Sequence, residues 1–316
     1  MGWLQADIVT RSASREEFAT LAGGWLTAVR EELAPEFGRG LNAGPSLAFD
    51  HRRDPDAPMG PADGAAGELN VITKQTTLGG STTRYSDRAW QQLLARLARD
   101  YPFHVTLTAS ALDGRGQYAS PQSSLRISVH RLHEHSEWVT LQAHHALGGA
   151  GEAEARLPYP HEAQARWAEF TKDWAARADA CYADVTDDAG IDGRTALERA
   201  TARTPDASGR PRTPETTIPR CHEELRGYSW VTVCAPELAA RLGGAAALAA
   251  SGAFAEVVEL PGGQVFLRAT PFIEDYQGDA VRRVFETLAP VLLAGRSRRP
   301  SRGGRLVEDA DAADYR

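Results

Sequence analysis

Lysine is almost missing from this 316-residue chain: only Lys74 and Lys172 occur among 35 basic residues. A phosphate loop of the Gly-Lys-Ser/Thr kind needs a lysine directly after a glycine, and neither lysine follows one. Asparagine is as scarce. Asn42 and Asn70 stand alone and neither opens an Asn-x-Ser/Thr sequon, which excludes N-glycosylation. Both scarcities are the usage expected of a GC-rich genome such as an actinomycete's. Three cysteines, Cys181, Cys221 and Cys234, are too few and too widely spaced for a disulfide framework, so a reduced, cytoplasmic protein is expected. No apolar run reaches the roughly 18 residues of a membrane helix. The start, Met1 to Asp7, lacks the basic and then apolar stretches of a secretory signal. Lys and Arg number 35 against 42 Asp and Glu, a net charge of −7, which argues against a strongly basic nucleic-acid-coating protein.

What is present is ordinary for a folded domain, with 42% hydrophobic and 24% charged residues. Ser14-Arg15-Glu16-Glu17 has the spacing of a capping box, and Phe18, Leu21, Trp25 and Val29 follow at helical spacing. The pattern predicts a helix over 14–34, stopped by Pro35. The stretch 35–67 is rich in Gly, Pro, Asp and Arg and reads as a long irregular loop. A strand is expected over 69–77, then a helix capped by Ser86 with Trp90, Leu93, Leu94 and Leu97 on one face. Three strand-like runs follow, 103–111, 124–132 and 138–147, joined as an antiparallel meander with a turn at His133–Ser136. Ala163, Trp167, Phe170, Trp174, Ala178 and Cys181 mark a helix, and the proline-rich stretch 200–222 a surface crossover. Beyond it comes a β-α-β-β-α block. It runs from a strand at Tyr228–Cys234 through Pro236 at a helix start and a hairpin around Pro261-Gly262-Gly263, to a helix from Asp279. The fold class is therefore α+β: an antiparallel meander sheet with packed helices and this C-terminal block. One domain is expected over 1–293, with a disordered polar tail over 294–316.

Candidate chemistry is sparse. Five of the nine histidines, His130, His133, His135, His144 and His145, fall between residues 130 and 145, in the second and third strands of the meander and the turn that joins them. A tetrahedral metal wants three or four N or S ligands, but no cysteine pair lies near and His144 and His145 point to opposite faces of a regular strand. Edge and turn polarity is the favoured reading, and a pH-sensitive surface the functional one. Asp184 to Gly193 has calcium-loop features when started at Asp188, but Gly190 and Arg199 replace two ligands, and a turn leading to a helix over 194–201 fits better. Ser229, in Gly227-Tyr228-Ser229-Trp230-Val231, lacks the final glycine of a nucleophile elbow. Cys234 precedes a helix, where a thiol is sometimes activated, but a small buried hydrophobe is the commoner role. Gly148-Gly149-Ala150-Gly151 does not complete a dinucleotide fingerprint. Trp25, Trp90, Trp167, Trp174 and Trp230 all fall on expected core faces. No catalytic, cofactor-binding or metal-ligating residue is assigned.

One block carries a family likeness. Gly227-Tyr228-Ser229-Trp230-Val231-Thr232-Val233, then Pro236-Glu237-Leu238, then Arg241-Leu242-Gly243-Gly244 resembles the C-terminal block of bacterial immunity proteins: the type VI immunity-like family (DUF3396) and the related Imm52-like proteins. The resemblance covers about residues 225–293. It implies a non-catalytic α+β protein that binds and neutralises a partner toxin, and it transfers no catalytic residues and no cofactor. The expected partner is thus a protein, a toxin or effector, rather than nucleic acid or membrane. The alternatives are a metal-dependent or hydrolytic enzyme using the His-rich strands 130–145, and a scaffolding protein.

Overall fold

The computed structural model describes residues 2–47, 57–73, 80–119, 123–147, 159–188, 192–202, 209, 211–297 and 304–316. The protein is α+β, and every strand pairing among the described residues is antiparallel. Cα packing divides the chain into two compact units, Met1–Leu4 with Ser12–Tyr159 and Gln5–Arg11 with Pro160–Arg316, where the sequence suggests one domain over 1–293.

The first unit takes the start of strand β1 (Gly2–Arg11), then α1 (Arg15–Ala28), α2 (Pro35–Asn42), β2 (Ala65–Ile72), β3 (Ser81–Arg84), α3 (Asp87–Asp100), β4 (His104–Ala111), β5 (Ser124–Arg131) and β6 (Trp138–Leu147). Its sheet runs β3-β2-β4-β5-β6. Ser14 caps α1 by accepting the Glu17 amide at 3.1 Å, while the Glu17 carboxylate accepts the Ala13 amide at 2.6 Å instead of the Ser14 amide that a full capping box uses. Ser86 caps α3 through the Ala89 amide at 3.2 Å. Pro35 does not simply end a helix. The chain passes through a π-helical turn at Val29–Leu33 and Pro35 becomes the first residue of α2, where its missing N–H costs nothing. So α2 and the first residues of β2 take up the two ends of the stretch expected to be irregular, while the run Asp50–Asp56 lies outside the described residues. Gly67 on β2 lets α2 approach. A Cβ there would sit 2.6 Å from Leu41 Cδ2 and 2.8 Å from Tyr85 Cβ, closer than real side chains come. Phe18, Trp25 and Trp90 fill this core.

The second unit takes the rest of β1, then α4 (His161–Arg177), β7 (Tyr182–Thr186), α5 (Ala196–Ala200), α6 (Pro214–Thr217), β8 (Val231–Cys234), α7 (Pro236–Arg241), α8 (Gly244–Ala250), β9 (Glu256–Glu259), β10 (Val265–Arg268) and α9 (Asp279–Leu288). Its sheet runs β1-β7-β8-β10-β9. The C-terminal β-α-β-β-α order is present, with the expected helix split by Gly243 at φ 87°, a left-handed conformation that glycine adopts without strain. Trp230 is buried and its indole N–H donates to the Thr270 carbonyl at 2.9 Å. Val281, Val284, Phe285, Leu288 and Leu292 all turn inward, as their spacing predicts.

Two expectations give way here. Cysteine spacing suggested no disulfide, yet Cys181 and Cys221 form one, with Cα atoms 6.1 Å apart and 40 residues between them in sequence. Strand β7 and the crossover bring the two together, a proximity that linear spacing does not show. The crossover 200–222 itself carries α6 and a 3₁₀ turn, Ile218–Arg220, ending at that bridge. The polar tail also differs from its disordered reading where it is described. Arg305 pairs with Asp187 at 2.8 Å and donates to the Tyr276 carbonyl, Leu306 is buried, and the Val307 amide donates to Tyr228 Oη at 2.9 Å. Arginines that read as solvated charge find acceptors on the body of the unit.

Candidate functional site

In the first unit, residues opposite one another across the strands share a face. One face carries Leu69, Val71, Val105, Leu107, Leu125, Ile127, Val129 and Leu141, and the helices pack there. The other is polar. It holds Asn70 and Glu68 on β2, His104 and Thr106 on β4, Arg126, Ser128 and His130 on β5, and Thr140, Gln142 and His144 on β6. His104 and His130 are direct register partners with ring centroids 5.6 Å apart, and His133 lies 6.3 Å from His130. His144 is the register partner of Arg126 and tilts against Trp3 at 5.1 Å. Burial, then His130, then Arg126 hold His104 down at about 4, and burial followed by Arg126 lowers His144. Both rings are thus neutral at pH 7, and Arg126 supplies the positive charge of that corner.

The remaining candidates separate. His145 points to the helix side, against Phe37 at 5.3 Å, with Ser123 and Tyr159 as polar partners, so neighbours 144 and 145 take opposite faces as a strand requires. His135 lies in the turn, 4.0 Å from Glu137. Among the described residues no group of three or more His, Cys, Asp or Glu is arranged to hold a metal. Ser229 donates its hydroxyl to Asp184 Oδ2 at 3.1 Å and has no imidazole beside it in that bond. Cys234 is fully buried, and burial pushes its thiol up to about 12, which removes the thiolate at neutral pH. It should therefore stay unlabelled by iodoacetamide in the native protein and react once the chain is unfolded; labelling of the folded protein at a comparable rate would contradict this burial. The acidic run from Asp184 is used internally: Asp187 binds Arg305, and Arg199 donates to the Asp188 carbonyl. Gly190 and Gly148 to Gly151 lie outside the described residues.

A second constellation has no counterpart among the sequence candidates. Gln5 and Asp7 on β1, Tyr182 and Asp184 on β7, and Thr232 on β8 line one face of the second unit's sheet, with Ser229, Arg226 and Glu198 joining them. The signal was available in the alternation Leu4, Ala6, Ile8 against Gln5, Asp7, which marks β1 as a strand with one apolar face.

With both units in view, the fold can be compared. The chain resembles a T6SS protein. That solved structure, the T6SS protein PA0821 of Pseudomonas aeruginosa, superposes with a TM-score of 0.53 at 14% identity, over 98% of this chain and 79% of its own. At that identity the likeness is one of fold. No family model matches the chain, and no curated protein does.

A hollow of about 230 Å³ lies between α3 and the β2-β3 hairpin, with Leu69, Val71, Ser81, Thr83, Gln92 and Arg96 in its wall. It falls below the roughly 300–1,000 Å³ of small-molecule sites, and Arg96 is already paired with Asp100 at 2.9 Å. The polar sheet face of the first unit is the better candidate surface: it is rich in donors and acceptors, with Arg126, His104, His130 and His144 half-buried and Thr106, Ser128 and Thr140 buried among them.

Proposed function

We propose that this chain is a non-catalytic, immunity-like protein that binds and neutralises a partner toxin, of the type VI immunity-like (DUF3396) or Imm52-like kind. The observation that carries the reading is the fold likeness to a T6SS protein along 98% of the chain. In the C-terminal block that carries the resemblance, Trp230 and Gly243 serve packing and a turn. The sealed thiol of Cys234 and the engaged hydroxyl of Ser229 fit binding better than turnover. The polar face around Arg126, His104, His130 and His144 suits a hydrogen-bonded protein interface. No described helix is long and apolar enough to cross a membrane. The Cys181–Cys221 bridge favours an oxidising compartment over the cytoplasm expected from cysteine count.

The test is a native pull-down of tagged protein from its own cells. Support is one stoichiometric partner that is toxic alone and harmless when this chain is co-expressed. Retention of no specific partner, or of one whose toxicity is unchanged, overturns the proposal. Arg126→Glu should weaken retention of that partner about tenfold, or 1.4 kcal/mol, with the unfolding midpoint unmoved. Wild-type retention by this variant would move the interface off the polar face.

A further inference from the structure

The first unit's sheet ends at β3, and among the described residues no strand pairs with its outer edge. Thr83 and Ser81 are the register partners of Leu69 and Val71, and the Tyr85 amide continues the ladder by donating to the Gly67 carbonyl at 2.8 Å. The backbone groups of residues 81, 83 and 85 therefore face β2. By the same alternation the N–H and C=O of Thr82 and Arg84 point away from the sheet. Ser81, Thr82 and Thr83 are exposed. An open edge is a template for another strand unless it is defended. The edge strand of the second unit is defended: β9 reads Glu256-Val257-Val258-Glu259, with a carboxylate at each end. Ser81-Thr82-Thr83 carries neither charge nor proline.

Ser81 and Thr83 share the helix-side face with Leu69 and Val71, and the hollow of about 230 Å³ lies between that face and α3. Ala89, Gln92, Leu93 and Arg96 recur at steps of three and four, which aims one stripe of α3 at it. A strand laid against β3 would run about 4.7–4.9 Å beyond it and turn alternate side chains to that same side. A hollow too small for a typical small ligand suits single side chains. Leu69, Val71 and Leu93 give it apolar walls, and Arg96 gives it a cationic rim. Arg96 and Arg99 share the one carboxylate of Asp100, at 2.9 and 2.8 Å, so a positive charge is left over there in a chain of net charge −7. We propose that this edge is a peptide-docking site: an extended segment of a partner protein adds as a strand to β3, bonds the backbone of Thr82 and Arg84, and places an apolar side chain in the hollow and an acidic one at Arg96. Main-chain bonds supply the affinity, and the hollow with Arg96 supplies the sequence preference. The site lies apart from the polar sheet face and does not depend on the toxin reading.

The probe is a phage-displayed library of random dodecapeptides, selected on the full chain. Enriched peptides should carry an apolar residue two positions from an Asp or Glu, because such residues share one face of a strand. A synthetic copy of one should slow hydrogen exchange at the Thr82 and Arg84 amides about tenfold or more, and leave the Thr83 amide, already spent on β2, unchanged. Thr82→Pro removes an outward N–H while sparing the ladder to β2, and should weaken binding at least about tenfold. Thr82→Val keeps that N–H and should bind as wild type. Should Thr82→Pro disturb β3, Arg96→Glu decides, with a loss of about tenfold or more for the acidic peptides. No enrichment, equal binding by both Thr82→Pro and Arg96→Glu, or unchanged exchange at the Thr82 and Arg84 amides overturns the proposal. Sedimentation of the free chain checks the other occupant. A monomer is expected, and a dimer broken by Thr82→Pro would give the edge to a second copy and overturn the peptide site as well.

Discussion

Glu198→Gln is expected to cost the second unit about 3–5 kcal/mol, because it strands a guanidinium in the interior. The side chains of Arg226 and Glu198 are 1% and 0% exposed, and two hydrogen bonds of 2.8 and 2.9 Å join them. Glu198 also closes the capping box of α5 by accepting the Thr195 amide at 2.8 Å, while Thr195 Oγ1 donates to the Arg226 carbonyl at 2.9 Å. One carboxylate thus ties the start of α5 to the segment entering β8. Gln keeps the volume and loses the charge, so the loss reads electrostatics rather than packing. Arg226 also faces Asp7, whose charge offsets part of it and places the expected cost near the lower end of the range. Against a total stability of about 5–15 kcal/mol this is a large fraction. Urea unfolding of the two proteins at one pH measures it. A difference within about 1 kcal/mol, the scale of exposed pairs, would mean that the pair is solvated in solution.

Reducing the chain, or replacing Cys181 and Cys221 with serine, should cost about 4 kcal/mol through the loop-entropy relation for a closed segment of 40 residues. The bridge closes a segment that carries β7, α5 and α6, hence Tyr182, Asp184 and Glu198. Releasing it frees the segment that carries Glu198, the carboxylate of the buried pair with Arg226. Thiol counting checks the premise directly. Unfolded without reductant, protein trapped by alkylation as its cells are lysed should show one free thiol, Cys234. Three thiols would remove the bridge, and with it the case for an oxidising compartment.

How much of this was legible in the sequence depends on whether a signal is local. Ser14 and Ser86 announced their helices because a cap bonds within three residues of itself. The His133–Ser136 turn and the Pro261–Gly263 hairpin were equally readable, since both place strands that are neighbours in sequence. Strand β7 was missed because it is short and buried along its whole length, which erases the alternation that betrays a strand. With it went the seat of Asp184, which in sequence looked like part of an acidic loop. The histidines were visible, but only the register shows that His104, outside the cluster, is the partner of His130.

By itself the sequence determined the α+β class, the caps, the hairpins and the inward faces of α3 and α9, because periodicity and turn chemistry act over a few residues. Tertiary structure alone decided the rest. It joined Cys181 to Cys221, seated Arg305 on Asp187, and set Asp7 opposite Asp184. Each of these pairs lies far apart in the chain, and their energies depend on burial and distance, quantities that exist only once the strands are registered and water is excluded.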